Sequence, residues 1–292
     1  MTLELTKDSD NIYSSEISGS YHKRSIFGGT IIGQSILAAY HTVESSMHLH
    51  SFQVYFLIKG DSSAKMNYIV DAIMNGRSFV KRSVSVEQKD LVIAKIFLSF
   101  KLDEPPSQFI YIPTFPDVIG PDKCPLVTDL LSQKLSILKD ESMIARLQGY
   151  NEWLVDFPLH VKAVDPEVQT LCKENPTNKI FKWLRLRDDK LFNLQKMSAK
   201  HALLGFFSDY VILQPILTMH CFETVGFMVS LDHIMWFHSH DFDPKQWMLL
   251  EAECNIAING TSLNSGRIWS EDGNLLATVM QEGVIRPVKT KL

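Results

Sequence analysis

Between residues 226 and 286 apolar and polar positions alternate through GFMVSLDHIMWFH, two further strand-like runs and LLATVMQEGVIR. The turn pairs Asn259-Gly260 and Asp272-Gly273 divide them. Period-two alternation broken by such pairs predicts an antiparallel meander. Upstream, HALLGFFSDYVIL is apolar nearly all round, which predicts a buried helix, yet it carries one acid, Asp209. The first third of the chain reads the same way. IFGGTIIGQSILAAY predicts a buried helix, with Gly28-Gly29 as a turn and Thr30 as its cap. Strand-like HSFQVYFLI, MNYIVDAIM, SFVKRSVSVEQ and LVIAKIFLSFK follow, with Asn75-Gly76 as a hairpin signal and Lys89-Asp90 as a second turn. Residues 1–20 give only a polar lead.

Between residues 102 and 156 the pattern changes. Pro105, Pro106, Pro113, Pro116, Pro121 and Pro125 exclude a strand, and Leu126, Leu130, Leu131, Leu135 and Leu138 recur at helical spacing. This predicts a connecting arm with one surface helix. Strand-like PLHVKAV and KIFKWLRLR then lead to the second helix. The expected division is a first unit over 1–101, the arm over 102–156 and a second unit over 157–292.

The two outer units repeat. IMNGRSFVKRS lies over AINGTSLNSGR, LVIAKIFL over LLATVMQE with Ala94 on Ala277, HSFQVYF over LDHIMWF, and Gly33 over Gly205. A long helix wrapped by an antiparallel sheet is the hotdog arrangement, so the fold class expected is α+β, a double hotdog with its two sheets paired edge to edge. The alignment also isolates what differs. Asp209 falls opposite Leu37, Ser230 opposite Leu49 and Gln281 opposite Leu98. One acid and two neutral hydrogen-bonding groups, each replaced by leucine in the first unit, point to a single active centre in the second.

Composition narrows the chemistry. A hydrophobic content of 45%, a charged content of 21% and a net charge of −4 without a basic run fit a globular chain and argue against a nucleic-acid surface. No apolar stretch approaches a membrane span, and the first residues lack the basic and apolar regions of a signal peptide. Cys124, Cys172, Cys221 and Cys254 are scattered, as reduced thiols of an intracellular protein would be.

Asp209, placed mid-helix, is the candidate base or anchor for an attacking water. Ser230 and Gln281 are the candidates to fix that water beside a carbonyl. A serine triad of Ser230, Asp232 and His233 is disfavoured, because on a regular strand His233 faces away from the other two. His233 and His238 read as structural histidines, and no metal-ligand spacing is present. Gly28-Gly29 before a helix suits either a phosphate or close packing. Arg77, Lys81 and Arg82 read as a solvated strand edge.

IFGGTIIGQSILAA, HSFQVYFLIKGD, NGRSFVKRSVSV, SLDHIMWFH and DGNLLATVMQEGVIR together resemble the acyl-CoA thioesterase II family. The resemblance implies hydrolysis of acyl-CoA to a fatty acid and CoA, and hence a place in lipid metabolism. It implies an acid on Asp209, a serine-or-threonine position on Ser230 and a glutamine on Gln281, with acyl-CoA as substrate and no cofactor. It also implies association as a homodimer or larger. Two departures stand out, the loop sequence IKGD and a short arm. The alternative readings are a non-catalytic acyl-CoA binding protein in the same cleft, and a hotdog hydratase, which needs an Asp and a His facing one site. The chain ends Thr290-Lys291-Leu292, close to the S-K-L address read by the peroxisomal import receptor. The expected location is the peroxisome, with the cytoplasm as the alternative.

Overall fold

The computed structural model describes residues 3–16, 26–105, 107–169, 177–187, 196–220 and 225–288. Cys172, Cys221 and the tail Thr290-Lys291-Leu292 lie outside these residues, whereas Cys124 and Cys254 are free and buried. The polar lead holds a short hairpin, β1 (Thr6–Ser9) and β2 (Ile12–Ser15). Each strand has four residues, too few for alternation to stand out.

Helix α1 (Gly28–Tyr40) is capped by Phe27, which offers no side-chain acceptor; Thr30 sits buried in the first turn instead of capping it. The leading N–H groups of α1 are therefore free to meet another partner. Strands β3 (His48–Phe56), β4 (Met66–Asn75), β5 (Phe79–Gln88) and β6 (Leu91–Lys101) follow as the alternation predicts. Lys89 and Asp90, with φ of 49° and 62°, form the tight two-residue turn. At Asn75-Gly76 the hairpin is longer, closing at Asn75↔Val80 with Gly76 N–H donating to the Phe79 carbonyl. Arg82 is not on a solvated edge. It is buried, and its guanidinium binds Thr42 Oγ1 and the carbonyls of Thr42, Met74 and Lys81, tying β5 to the end of α1.

Among its described residues the proline-rich stretch has no regular element until a 3₁₀ turn at Pro121–Lys123. Two helices, not one, follow: α2 (Val127–Ile137) and α3 (Glu141–Asp156). The break falls where Leu138 turns extended and the Asp140 carboxylate caps α3 by accepting the Met143 N–H. Val127, Leu131, Met143, Leu147 and Leu154 are buried, so neither helix is purely a surface element. Among the described residues no helix is long and apolar enough to cross a membrane.

The second unit runs β7 (Leu159–Ala163), α4 (Pro166–Gln169), β8 (Lys179–Leu186), α5 (Met197–Ser208), α6 (Pro215–His220), β9 (Val225–Ser230), β10 (Asp232–Phe237), β11 (Met248–Ile258), β12 (Thr261–Ser270) and β13 (Leu275–Pro287). All strands join one antiparallel sheet in the order β1-β2-β4-β5-β6-β3-β10-β13-β12-β11-β8-β7, with β9 on β13. The order is a mirror about the β3–β10 seam. The repeat is thus longer than the alignment shows, because hairpin β1–β2 answers hairpin β7–β8.

Helices α1 and α5 cross antiparallel under the sheet. A Cβ on Gly29 would lie 2.5 Å from the Phe206 carbonyl oxygen, a backbone atom, so only glycine lets the helices come this close there. Ile32, Ile36, Phe52, Phe206 and Phe207 fill the space between helices and sheet. Two helices, each wrapped by half of one sheet, make this a double hotdog of the α+β class.

Candidate active site

Asp209 is not mid-helix. Helix α5 ends at Ser208 and Asp209 is its C-cap, with φ −79° and ψ −8°. The chain turns there because the Gln214 amide donates to the Tyr210 carbonyl, and Pro215 starts α6 just beyond. Gln214 is itself gripped from β8 by the buried Lys182 Nζ, 2.5 Å from its Oε1. At the C-terminal end of α5 a carboxylate meets the unfavourable pole of the helix dipole. The antiparallel crossing compensates, bringing Asp209 to the favourable pole of α1, where the Gly29 N–H donates to it. Burial pushes the Asp209 pKa up to about 7; the hydrogen bonds from Gln281 and Gly29 hold it from rising further.

Gln281 lies on β13 with 1% of its surface exposed. Its Nε2 donates to Asp209 Oδ1 at 2.9 Å and to Ser230 Oγ at 2.5 Å. The structure therefore brings Asp209, Ser230 and Gln281 together, with the amide between the other two.

Ser230 closes β9, and the step from β9 to β10 is irregular. Ser230 pairs with Gly283 and Ile234 with Met280, so four steps on one strand face three on the other. One extra residue flips the side-chain alternation. Ser230 and His233 consequently share the inner side, and Asp232 points away to accept the Glu282 N–H at 2.8 Å. This reverses the faces that a regular strand predicts. It still makes no triad: the His233 ring nitrogens bond Ser208 Oγ (Nε2, 2.8 Å) and Gln281 Oε1 (Nδ1, 2.9 Å). The first unit has the same bulge, where Leu49 pairs with Phe100 but Ser51 with Ser99.

His233 is the residue the sequence reading leaves outside the site. It has no exposed surface, burial holds its pKa down near 4, and its Nδ1 is 3.9 Å from Asp209 Oδ1. The alignment carried a signal, since His233 falls opposite Phe52 as the other three fall opposite leucines. The Asp–His pair that the hydratase reading needs is thus present. It does not serve that reading, because both ring nitrogens are engaged inside the protein and the ring cannot reach a substrate.

A cleft of about 480 Å³ opens beside Ser230 and is lined by Ile26, Gly28, Ile31, Phe56 and Phe227 among others. Gly28 belongs there for a steric reason: a Cβ would lie 2.6 Å from Asp209 Oδ2 and 2.9 Å from Phe56 Cζ. At the mirrored position Leu49 and Leu98 are buried and Leu37 stands in place of the acid, while Tyr40 Oη meets His201 Nδ1 at 2.6 Å. A larger cavity, about 620 Å³, borders Leu37 and Tyr40 at that end, but it has no acid–amide pair.

Comparison with known proteins gives one consistent result. Residues 18–101 match the family described as the acyl-CoA thioesterase N-terminal domain, and residues 138–285 its C-terminal domain. The chain is 33% identical over 265 residues to acyl-coenzyme A thioesterase 8 of Homo sapiens, covering 89% of this chain and 80% of that one. It is 25% identical over 301 residues to peroxisomal acyl-coenzyme A thioester hydrolase 1 of Saccharomyces cerevisiae, covering 89% and 85%. Among solved structures, acyl-CoA thioesterase II TesB2 from Mycobacterium marinum superposes with a TM-score of 0.75 at 26% identity, covering 98% and 97%.

Proposed function

As a chain that belongs to the acyl-CoA thioesterase family, this protein hydrolyses acyl-CoA thioesters to a fatty acid and CoA, and we propose that Asp209, Ser230 and Gln281 hold the attacking water. The observation that carries the assignment is the Gln281 amide, which donates to both Asp209 and Ser230 beside the cleft.

In this reading the acyl group lies along the cleft with its carbonyl next to Ser230. Asp209, with a pKa near neutral, is matched to take a proton from water. The water oxygen bonds to the carbonyl carbon as that proton moves to Asp209. The Gly28 N–H, at the leading end of α1 and on the cleft wall, faces the developing oxyanion; one such donor is typically worth about 2.7–4 kcal/mol. The tetrahedral intermediate collapses, the carbon–sulfur bond breaks, and the CoA thiolate takes the proton from Asp209. The acid product loses its remaining proton to solvent. No cofactor enters these steps, and no covalent acyl-enzyme forms.

The test is thiol release from a chain-length series of acyl-CoA substrates. Binding of acyl-CoA without thiol release at any length would favour the non-catalytic carrier. The compartment we propose is the peroxisome, supported by the name of the yeast relative. Tags at either end of the chain, compared in cells, test whether residues 290–292 act as the address. Assembly as a homodimer or larger belongs to the same reading; sedimentation at micromolar concentration decides it.

A further inference from the structure

A glutamine side chain has nearly the same shape either way round, so its partners decide which side its oxygen faces. We infer that His233 is a positioning residue that sets the orientation of the Gln281 amide through its own tautomer. The inference rests on the reading of Asp209, Ser230 and Gln281 given above.

The groups form a single hydrogen-bonded chain. Gln281 Nε2 is 2.9 Å from Asp209 Oδ1, and Gln281 Oε1 is 2.9 Å from His233 Nδ1. His233 Nε2 is 2.8 Å from Ser208 Oγ, which lies 2.7 Å from the Gly205 carbonyl. Ser208 and His233 have no exposed surface and Gln281 has 1%, so water cannot stand in for a missing partner. Such a chain can run in two directions. In one, the Gln281 NH₂ donates to Asp209 and Ser230, His233 Nδ1–H donates to Gln281 Oε1, and the Ser208 hydroxyl donates to Nε2. In the other, Gln281 turns its NH₂ to Nδ1, Nε2–H donates to Ser208, and Ser208 donates to Gly205.

The second direction satisfies every group but one: it sets Gln281 Oε1 against the ionised Asp209 carboxylate. The water would then lose its amide donor. The Nδ1–H tautomer selects the first direction, and that tautomer is satisfied only when Ser208 turns its one hydroxyl hydrogen from the Gly205 carbonyl to Nε2. Phe52 stacks on the imidazole at 5.7 Å and 13°, which keeps the ring from turning over. The bulge at Leu231 puts His233 on this side of the strand in the first place. Across the seam, where Leu98 replaces the amide, the corresponding partner is Phe52, with no ring nitrogen.

The test measures kcat and KM for thiol release, with pH profiles, in a small set of full-length variants. His233→Phe copies the mirrored residue and should lower kcat about 10- to 100-fold with KM little changed. Its acidic limb should move to higher pH, because the Gln281 N–H no longer favours ionised Asp209. His233→Asn, which places an N–H where Nδ1–H was, should recover most of the lost rate. Ser208→Ala should lower kcat in the His233 protein but not in the His233→Asn background, where Ser208 has no ring nitrogen to meet. Wild-type kcat in His233→Phe, equal losses in the Phe and Asn variants, or the same Ser208→Ala cost in both backgrounds would each overturn the inference. If His233→Phe does not fold, the Ser208→Ala comparison still decides. Gln281→Ala is measured alongside: undiminished turnover there would reject the site assignment itself, before His233 is in question.

Discussion

Replacing Asp209 by asparagine should remove activity and stabilise the protein, with a pH dependence that identifies the cause. The folded-state pKa is raised from 3.8 to about 7 by burial. The sign follows from proton counts. Between these values the folded protein holds a proton that the unfolded chain has lost, so this group's contribution falls as pH rises and levels off above 7. The full cost at pH 8 has an upper limit of about 4 kcal/mol. Asparagine carries no charge but keeps only one acceptor for the Gln281 and Gly29 donors, which costs about 1 kcal/mol. We therefore expect Asp209→Asn to be more stable than wild type by about 1–3 kcal/mol at pH 8. The gap should shrink by about 2 kcal/mol towards pH 5. Urea unfolding at both pH values reads the gap, and thiol release should fall about 10²- to 10⁴-fold. A gap that does not change with pH, or a folded Asp209→Asn protein that turns over normally, would refute the argument.

Three further outcomes follow from the same geometry. Lys182 is buried on one neutral partner and its pKa is pulled from 10.5 to about 7, so wild-type stability should rise between these pH values; in Lys182→Met that rise should be absent in urea unfolding. Gly28→Ala places a methyl against the Asp209 carboxylate and the Phe56 ring, and should abolish most turnover at a stability cost of about 1–3 kcal/mol by thermal melting. Ser230→Ala should lower kcat about tenfold by removing one hydrogen bond, whereas Ser230→Thr, which keeps the hydroxyl, should stay close to wild type in the same assay.

The repeat was legible because ladder register preserves it. Phe56 pairs with Ala94 as Phe237 pairs with Ala277, so counting along the strands sets Leu98 against Gln281 and Phe52 against His233. What the sequence conceals is local irregularity. The extra residue between Ser230 and Ile234 has no marker such as glycine, and it reversed the faces assigned to Asp232 and His233. The end of α5 was hidden because Tyr210, Val211 and Ile212 are as apolar as the helix before them; the turn is held by Gln214, itself fixed by Lys182, which is distant in sequence. Backbone donors leave no trace in a side-chain pattern, so the Gly29 N–H on Asp209 could be found only from the crossing of the helices.

That crossing means the centre is assembled from both ends of the chain. The acid, the hydroxyl and the amide come from the second unit, but the backbone donor on the acid and the Gly28 wall come from the first. A fragment holding only residues 102–292 would carry all three named side chains and still lack a complete centre. A protease cut that released the first unit should silence the enzyme without touching Asp209, Ser230 or Gln281. Possession of the three residues is therefore a poor criterion for an active family member; the criterion that follows from the structure is the three residues together with an intact Gly-Gly helix start some 180 positions earlier in the chain.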